Sequence, residues 1–446
     1  MRSPARRRFR LTAPRLILLG FAAFILLGTL LLKLPAATPD PGISWLDAFF
    51  ESASAVTVTG LQVVTPVTAF TPFGQAVLAL LIQVGGIGIM TATTLGALLL
   101  GNRIGFRNLL LVREELQSPG SPSNVLRLVG QVAVITLVAE AVGAALLTAD
   151  FLSRGFGLAR AVGYGVFHSI SAFCNAGFDV FENGVTYYDG DVIVNLVFVA
   201  LIVVGGLGFP VMVNLYSYRR IGYLTLHTKL VLVPTVVLLA AGILSVAALE
   251  WTNPATLGSE PLGTKILEAV FQGTTPRTAG FATVDYADLR DSTVLVQIVL
   301  MFIGAAPAST GGGIKVTTVA FIFLILLSQV RGEEEVTAFR RRIPRSLIAK
   351  TLSVLSLAAV LVVAGSVALV ASDDLSLQVA LFEVTSALGT VGLSLGATPD
   401  LSPFGKLLLV FLMFVGRLGP ITLIVALSQR SRRKRHTYPE EEIAIG

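Results

Sequence analysis

Four short stretches hold the residues through which this sequence can act chemically: Thr57-Val58-Thr59-Gly60-Leu61, Asn175-Ala176-Gly177-Phe178, Arg277-Thr278-Ala279-Gly280-Phe281 and Thr390-Val391-Gly392-Leu393. None pairs a nucleophile with a base or gathers metal-ligating side chains. They share a glycine that closes a semi-apolar segment too short to cross a bilayer, set between segments long enough to do so. This is the layout of a re-entrant loop. If four such loops meet on one axis, their backbone carbonyls can replace the water shell of a cation, and glycine supplies the backbone freedom this needs. The carbonyls expected to contribute are those of Val58, Thr59 and Gly60, of Asn175, Ala176 and Gly177, of Thr278, Ala279 and Gly280, and of Thr390, Val391 and Gly392. Glycine also serves close packing in membrane helices. These four instead lie at segment ends.

Such loops must be positioned by helices in a bilayer, and the composition provides for that. The chain has 446 residues, 54% hydrophobic and 13% charged, with mean hydropathy +0.80. A soluble domain has about a quarter charged residues. Runs such as Leu16 to Leu32, Val192 to Val204, Leu230 to Leu249 and Leu352 to Val370 approach or match the roughly 20 apolar residues of a spanning helix. Eight such spans are expected. The lone Cys174 excludes an intrachain disulfide and says nothing of compartment.

Phe50-Glu51-Ser52-Ala53-Ser54-Ala55, Phe167-His168-Ser169-Ile170-Ser171-Ala172 and Phe382-Glu383-Val384-Thr385-Ser386-Ala387 precede their glycines at the same distance. Phe271 stands one position nearer to Gly280. A second echo follows each glycine: Val84-Gly85-Gly86-Ile87-Gly88, Val204-Gly205-Gly206-Leu207-Gly208, Ile303-Gly304 and Val415-Gly416-Arg417-Leu418-Gly419. The predicted fold is an all-α integral membrane protein of four tandem helix, pore-loop, helix repeats, with eight spans and four re-entrant pore helices around one pseudo-fourfold pore. Repeat 1 covers 15–100, repeat 2 124–216, repeat 3 229–328 and repeat 4 346–429, between tails 1–14 and 430–446.

Lys and Arg gather in both tails and in the loops between repeats, holding 24 of the 33 basic residues. The positive-inside rule then makes both termini cytoplasmic. It accounts for the net charge of +6 without nucleic acid. Arg6-Arg7-Arg8-Phe9 before an apolar run also has the form of a cleaved signal peptide, but repeat 1 needs Leu16 to Leu32 as a resident helix. The filter side carries Asp179, Glu182, Asp189, Asp191, Asp285, Asp288, Asp291, Asp373, Asp374 and Asp400. They form either an acidic mouth that concentrates cations or ordinary solvated loops.

With these motifs in order, the chain resembles the superfamily of Trk, Ktr and plant high-affinity K+ transporters, over roughly residues 15 to 430. The resemblance rests on the four glycines, on Thr275-Pro276-Arg277-Thr278-Ala279-Gly280-Phe281, on the small-residue stretch Gly304 to Gly313, and on Gly416-Arg417-Leu418-Gly419-Pro420. With eight spans and a first helix near the start, it is most similar to the Ktr membrane (pore) subunit. The resemblance implies a K+-selective pore-forming subunit of a potassium uptake system in the cell membrane. It implies a homodimer with one pore per subunit, gated by a cytosolic ring of nucleotide-binding regulatory subunits of the KtrA kind. Glycine at position 60 goes, in that family, with K+ selectivity. K+ is the transported ion, no organic cofactor is expected, and Na+ remains open as an activator.

The stretch Gly304-Ala305-Ala306-Pro307-Ala308-Ser309-Thr310-Gly311-Gly312-Gly313-Ile314-Lys315 interrupts an apolar helix. A proline and three successive glycines oppose continuous helix, and irregular backbone at membrane depth belongs inside protein or along a water-filled cavity. It is expected to be a gate below the filter. A phosphate-binding loop needs Gly-Lys-Ser/Thr, which Ile314-Lys315-Val316 does not provide. Arg417 and Lys315 are charges inside spans. Arg417 is expected to project into the pore and contact the loop, with snorkelling or a packing ion pair as the alternative, and Lys315 poses the same choice. Arg277 is expected to be braced from outside the ion path by Glu51 or Glu383, and His168 to make a structural hydrogen bond. Two other readings stay open: a Na+- or H+-coupled K+ symporter, for which Glu140 is the mid-span carboxylate, or a Na+ permease. No arrangement of catalytic side chains supports an enzyme.

Overall fold

The structure, a computed structural model, describes residues 13–419 apart from 41, 90, 93, 96–111, 113–121, 334 and 345. Most of the N-terminal tail, Arg103, Arg107 and Arg113, and everything from Pro420 onward, including the end of repeat 4 and the C-terminal tail, lie outside the described residues. What is described is predominantly helical, and one pattern recurs four times.

Each repeat opens with a long apolar helix: α1 (Ala13–Leu32), α4 (Pro122–Ser153), α8 (Leu226–Glu250) and α12 (Ser346–Asp373). Large apolar side chains stand exposed along them, among them Leu26, Leu137, Val237, Leu244 and Val363. Water would penalise such rows, whereas lipid does not. These four are the described helices long and apolar enough to cross a membrane unbroken.

Behind each outer helix lies a shorter one: α2 (Trp45–Thr57), α5 (Leu158–Cys174), α9 (Leu262–Thr274) and α13 (Leu377–Gly389). Ser44 caps α2 by accepting from Asp47 N at 3.0 Å, and Ser376 caps α13 by accepting from Val379 N at 3.3 Å. The C-terminal halves are buried almost throughout, so these polar-lined helices form the centre of the molecule. They approach the outer helices at glycines: Gly28 faces Ser52, Gly143 faces Ser169, Gly242 faces Gly273 and Gly365 faces Val384. Those four partners hold the same place in the four short helices.

In repeats 1, 2 and 4 the second helix differs from the continuous span expected from the sequence, whereas in repeat 3 the interruption falls in the expected stretch. α3 (Pro72–Ile87) ends at Gly88, α6 (Val192–Gly206) breaks near Gly208 before α7 (Phe209–Ile221), and α14 (Pro403–Leu418) ends at Gly419. The three glycines share φ of 95°, 87° and 82° with ψ near 136°, a conformation that no helix accommodates and that side chains disfavour. α6 and α7 meet at 95°. In repeat 3 the break widens to a loop between α10 (Asp291–Phe302) and α11 (Val316–Val330).

The repeats close into a ring. α3 packs on α5, α6 on α9, α10 on α13, and α14 on α2. Lys406 Nζ to Asp47 Oδ1 at 2.9 Å joins repeat 4 to repeat 1, and Gln378 Nε2 to Asp291 Oδ1 at 3.0 Å joins repeat 3 to repeat 4. Between repeats 3 and 4, strands β1 (Thr337–Ala338) and β2 (Arg341–Arg342) form a small antiparallel hairpin. It is anchored by Val336, Ala338 and Ile343 on α8, α11 and α12.

Candidate ion pathway

Each short helix ends in a residue with left-handed backbone: Val58 at φ 56°, Asn175 at 58°, Thr390 at 50° and, after one further turn, Thr278 at 67°. Side chains adopt this region at a penalty of roughly 1–2 kcal/mol, so the surroundings must hold it. Two residues on stand Gly60, Gly177, Gly280 and Gly392, all with positive φ.

These glycines meet. An ideal Cβ on Gly60 would stand 2.5 Å from the Ala176 carbonyl oxygen, one on Gly177 3.0 Å from that of Ala279, and one on Gly280 2.5 Å from that of Val391. A Cβ on Gly392 would collide with the Thr59 carbonyl oxygen. Each loop thus touches the next through the carbonyl before its glycine, and the fourth touches the first. The structure brings Thr59, Ala176, Ala279 and Val391 into one closed ring. Glycine is required both for its dihedrals and for this approach.

Two sets of side chains hold the ring. The first is a hydroxyl in the last turns of each short helix. Ser54 Oγ accepts from Gly60 N at 3.0 Å and Ser386 Oγ from Gly392 N at 3.1 Å. Ser171 Oγ accepts from Phe178 N at 3.1 Å, and Thr275 Oγ1 donates to Phe281 O at 2.6 Å. The second is an acceptor earlier in the helix that takes the N–H three residues beyond the glycine. Glu51 Oε1 accepts from Val63 N at 2.8 Å, His168 Nε2 from Val180 N at 3.2 Å, and Glu383 Oε1 from Leu395 N at 3.0 Å. Gln272, with its amide turned to satisfy its neighbours, accepts from Thr283 N at 2.7 Å. His168 Nδ1 faces the Tyr164 carbonyl at 2.8 Å. A carbonyl can only accept, so Nδ1 carries a proton, while Nε2 faces both Val180 N and Asp179 Oδ1, the latter at 3.0 Å.

Glu51 and Glu383 are therefore occupied, and the expected bracing of Arg277 by either is corrected. Arg277 points away from them, and its Nη1 donates to Thr235 O on α8 at 3.1 Å. Glu383 spends both carboxylate oxygens on Ser394, Leu395 and Thr398, whereas Glu51 keeps Oε2 buried without a partner, and the Arg277 side chain reaches neither.

Gly304 to Gly313 lie directly beneath the ring. Gly311 abuts Thr278, and a Cβ on Gly312 would stand 3.0 Å from Thr390 Cγ2. Gly304 N donates to Ile314 O at 2.9 Å and Ala305 N to Gly312 O at 3.3 Å, so the loop folds back on itself. Ala306 N and Thr310 N donate to Gly206 O and Gly205 O at the break after α6, and Ala308 O accepts from Phe209 N. Ser309 Oγ donates to Ala306 O at 2.6 Å and Thr310 Oγ1 to Phe173 O at 3.0 Å. Pro307 supplies no N–H, and its carbonyl faces Gly208. Lys315 Nζ returns to Gly311 O at 2.8 Å. Arg417 reaches across: Nη1 donates to Thr310 O in the loop, and Nη2 to Gly85 O and Gly86 O at the end of α3. One guanidinium thus joins the loop to the negative end of a helix in another repeat.

The acids of the filter side are partly spoken for. Asp191 caps α6, Asp285 and Asp189 close turns, and Asp179 accepts from Phe181 N. These uses favour local structure over an acidic mouth for those four.

Four backbone loops closed on one axis, inside helices that present apolar faces outward, define a membrane transport protein for ions rather than an enzyme. The sequence profile of the TrkH family, described as a cation transport protein, matches residues 19–434. The chain belongs to that family. It is 39% identical over 437 residues to Ktr system potassium uptake protein B of Bacillus subtilis, covering 98% of this chain and 97% of that one. It is 34% identical to potassium/sodium uptake protein NtpJ of Enterococcus hirae, over 99% of each. The solved structure of the potassium transporter TrkH from Vibrio parahaemolyticus shares the fold, with TM-score 0.75 and 21% identity over 96% of this chain and 87% of that one.

Proposed function

We propose that this chain is the K+-selective, pore-forming membrane subunit of a potassium uptake system. The observation that carries this reading is the closed ring of carbonyls before Gly60, Gly177, Gly280 and Gly392, since a ring of backbone dipoles replaces a cation's hydration shell without a fixed charge to trap it. The loop from Gly304 to Gly313 is the gate, held shut by Lys315 and Arg417. The relatives named for Ktr potassium uptake support K+ as cargo and cytosolic Ktr components as partners. In this reading the chain works as a homodimer in the cell membrane with both termini cytoplasmic. The gating ligand acts on a separate nucleotide-binding ring.

The test is K+ uptake into liposomes holding the purified chain, with Na+ and Rb+ competing, beside Gly280→Ser. K+-selective uptake that loses selectivity in the variant is expected. A coupled or Na+-permeable second reading is favoured by the potassium/sodium relative and by Glu140, which lies buried within α4 with Cys174 Sγ 3.9 Å away. Uptake that requires a Na+ gradient and is indifferent to Gly280 would replace the first reading with the second.

A further inference from the structure

Arg277 stands three residues before Gly280 and is only 6% exposed. Among the described residues its side chain makes one hydrogen bond, to Thr235 O, and no described carboxylate lies within ion-pair distance of it. A guanidinium carries five N–H donors and a permanent charge. Burying such a charge is unfavourable unless an opposite charge lies close. The position is also unfavourable to a passing cation.

Arg277 also lines a small cavity of about 10 Å³, room for a single small ion or water, between α6, α8 and α9. Thr235 lines it as well, itself 6% exposed, and its Oγ1 is buried with no protein partner. Ile202 and Leu239 form apolar walls, and Ala305 of the loop beneath the ring closes one side. A cationic fork and an unengaged hydroxyl, beside a small cavity whose other hydroxyl, Thr274, is already bonded to Val270 O, describe a receptor for one small anion. Water brings a dipole but no compensating charge. Thr235 lies nine residues into α8, about 14 Å from its start, close to half of the roughly 30 Å hydrocarbon thickness, so a phospholipid phosphate is too shallow to serve.

We infer that Arg277 and Thr235 bind a single monovalent anion of chloride size behind the third filter loop. The anion offsets the charge of Arg277, so that cation occupancy at Gly280 depends on it. Because Ala305 borders the pocket, the anion also fixes one flank of the loop beneath the ring.

The experiment is equilibrium binding of radiolabelled chloride to the purified full-length chain in detergent, with bromide or gluconate as competitor. Saturable binding displaced by bromide and not by gluconate is expected. Arg277→Gln should abolish it, and Thr235→Val, which keeps the side-chain shape, should weaken it about tenfold through the lost hydrogen bond to a charged group. The absence of saturable binding, or equal binding in wild type and Thr235→Val, overturns the site whether or not Arg277→Gln folds. Displacement by short-chain phosphatidylglycerol at equimolar concentration assigns the pocket to a lipid phosphate and overturns the free anion. In liposomes, K+ uptake should fall several-fold when gluconate replaces chloride; equal uptake removes the coupling to cation occupancy. This last readout rests on the K+ reading, and uptake absent from both media would strike that reading while the binding result stands.

Discussion

Replacing Glu383 tests whether the ring is held from behind by its acceptor side chains. Glu383 is fully buried and accepts from Ser394 Oγ at 2.5 Å, Leu395 N at 3.0 Å and Thr398 Oγ1 at 2.6 Å. Glu383→Leu leaves all three donors without their acceptor. The two hydroxyls are 3.3 Å apart and can pair with each other, which recovers part of the loss. Leu395 N has no such substitute. An unmet donor costs about 1–3 kcal/mol and a hydrogen bond to a charged group contributes about 1.5–3, so a net destabilisation of about 2–4 kcal/mol is expected. Glu383→Gln keeps Oε1 for Leu395 N and Ser394, while its amide N–H can donate to Thr398 Oγ1. Repeat 3 already uses Gln272 in this place, and a loss of about 1 kcal/mol or less is expected. Unfolding of the purified variants in detergent reads the stability. The ratio of K+ to Na+ uptake in liposomes reads the ring, and it should drop in the leucine variant and persist in the glutamine one. A leucine variant within about 0.5 kcal/mol of wild type, with an unchanged ratio, would refute the reasoning.

Arg417→Gln removes the charged link between Thr310 O and the end of α3. Uptake by the chain alone should rise about tenfold or more, in line with one or two lost charge-assisted bonds, and unchanged uptake would exclude Arg417 as a latch. Gly273→Ala puts a Cβ 2.5 Å from Ile243 Cα on α8. Overpacking of this kind costs about 1–3 kcal/mol, visible as a lower midpoint of thermal unfolding. Ser386→Ala leaves Gly392 N without its 3.1 Å partner. It should cost about 1–3 kcal/mol and weaken discrimination between K+ and Na+, whereas Ser353→Ala, on the exposed side of α12, should stay within about 0.5 kcal/mol.

Much of this architecture is legible because glycine, unlike most residues, leaves a mark where backbone geometry is special. Gly60, Gly177, Gly280 and Gly392 stand out since they end short segments, and their neighbours repeat at fixed spacing. Gly85, Gly88, Gly205, Gly208, Gly416 and Gly419 repeat as clearly, yet within an apolar run a glycine reads equally as packing or as a break. Only the proline and three glycines of repeat 3 are extreme enough to announce irregular backbone. The ring's supports were in view as residues but not as partners. Ser54, Ser171 and Ser386 sit inside the repeated segment, where a hydroxyl could as well bond its own helix. Glu51 and Glu383 invite pairing with Arg277, because opposite charges are easier to match by eye than a carboxylate and a backbone N–H. Gln272 escapes because repeat 3 is shifted by one position. Contact between Arg277 and Thr235 joins positions 42 residues apart, and no periodicity connects them.

The one interrupted helix that became a long loop has a consequence for symmetry. A pore assembled from four identical chains must carry every substitution four times, and four loops the size of Gly304 to Gly313 would crowd a single axis. Tandem repeats in one polypeptide escape that multiplication. Among the described residues, repeat 3 alone has the long loop, repeat 4 the arginine that touches it, and repeat 2 the broken helix that receives its backbone hydrogen bonds. The ring stays close to fourfold, while the parts beneath it differ from copy to copy. A single-residue change here perturbs one quarter of the circle, which makes this chain a place where graded distortions of a ring can be written one wall at a time.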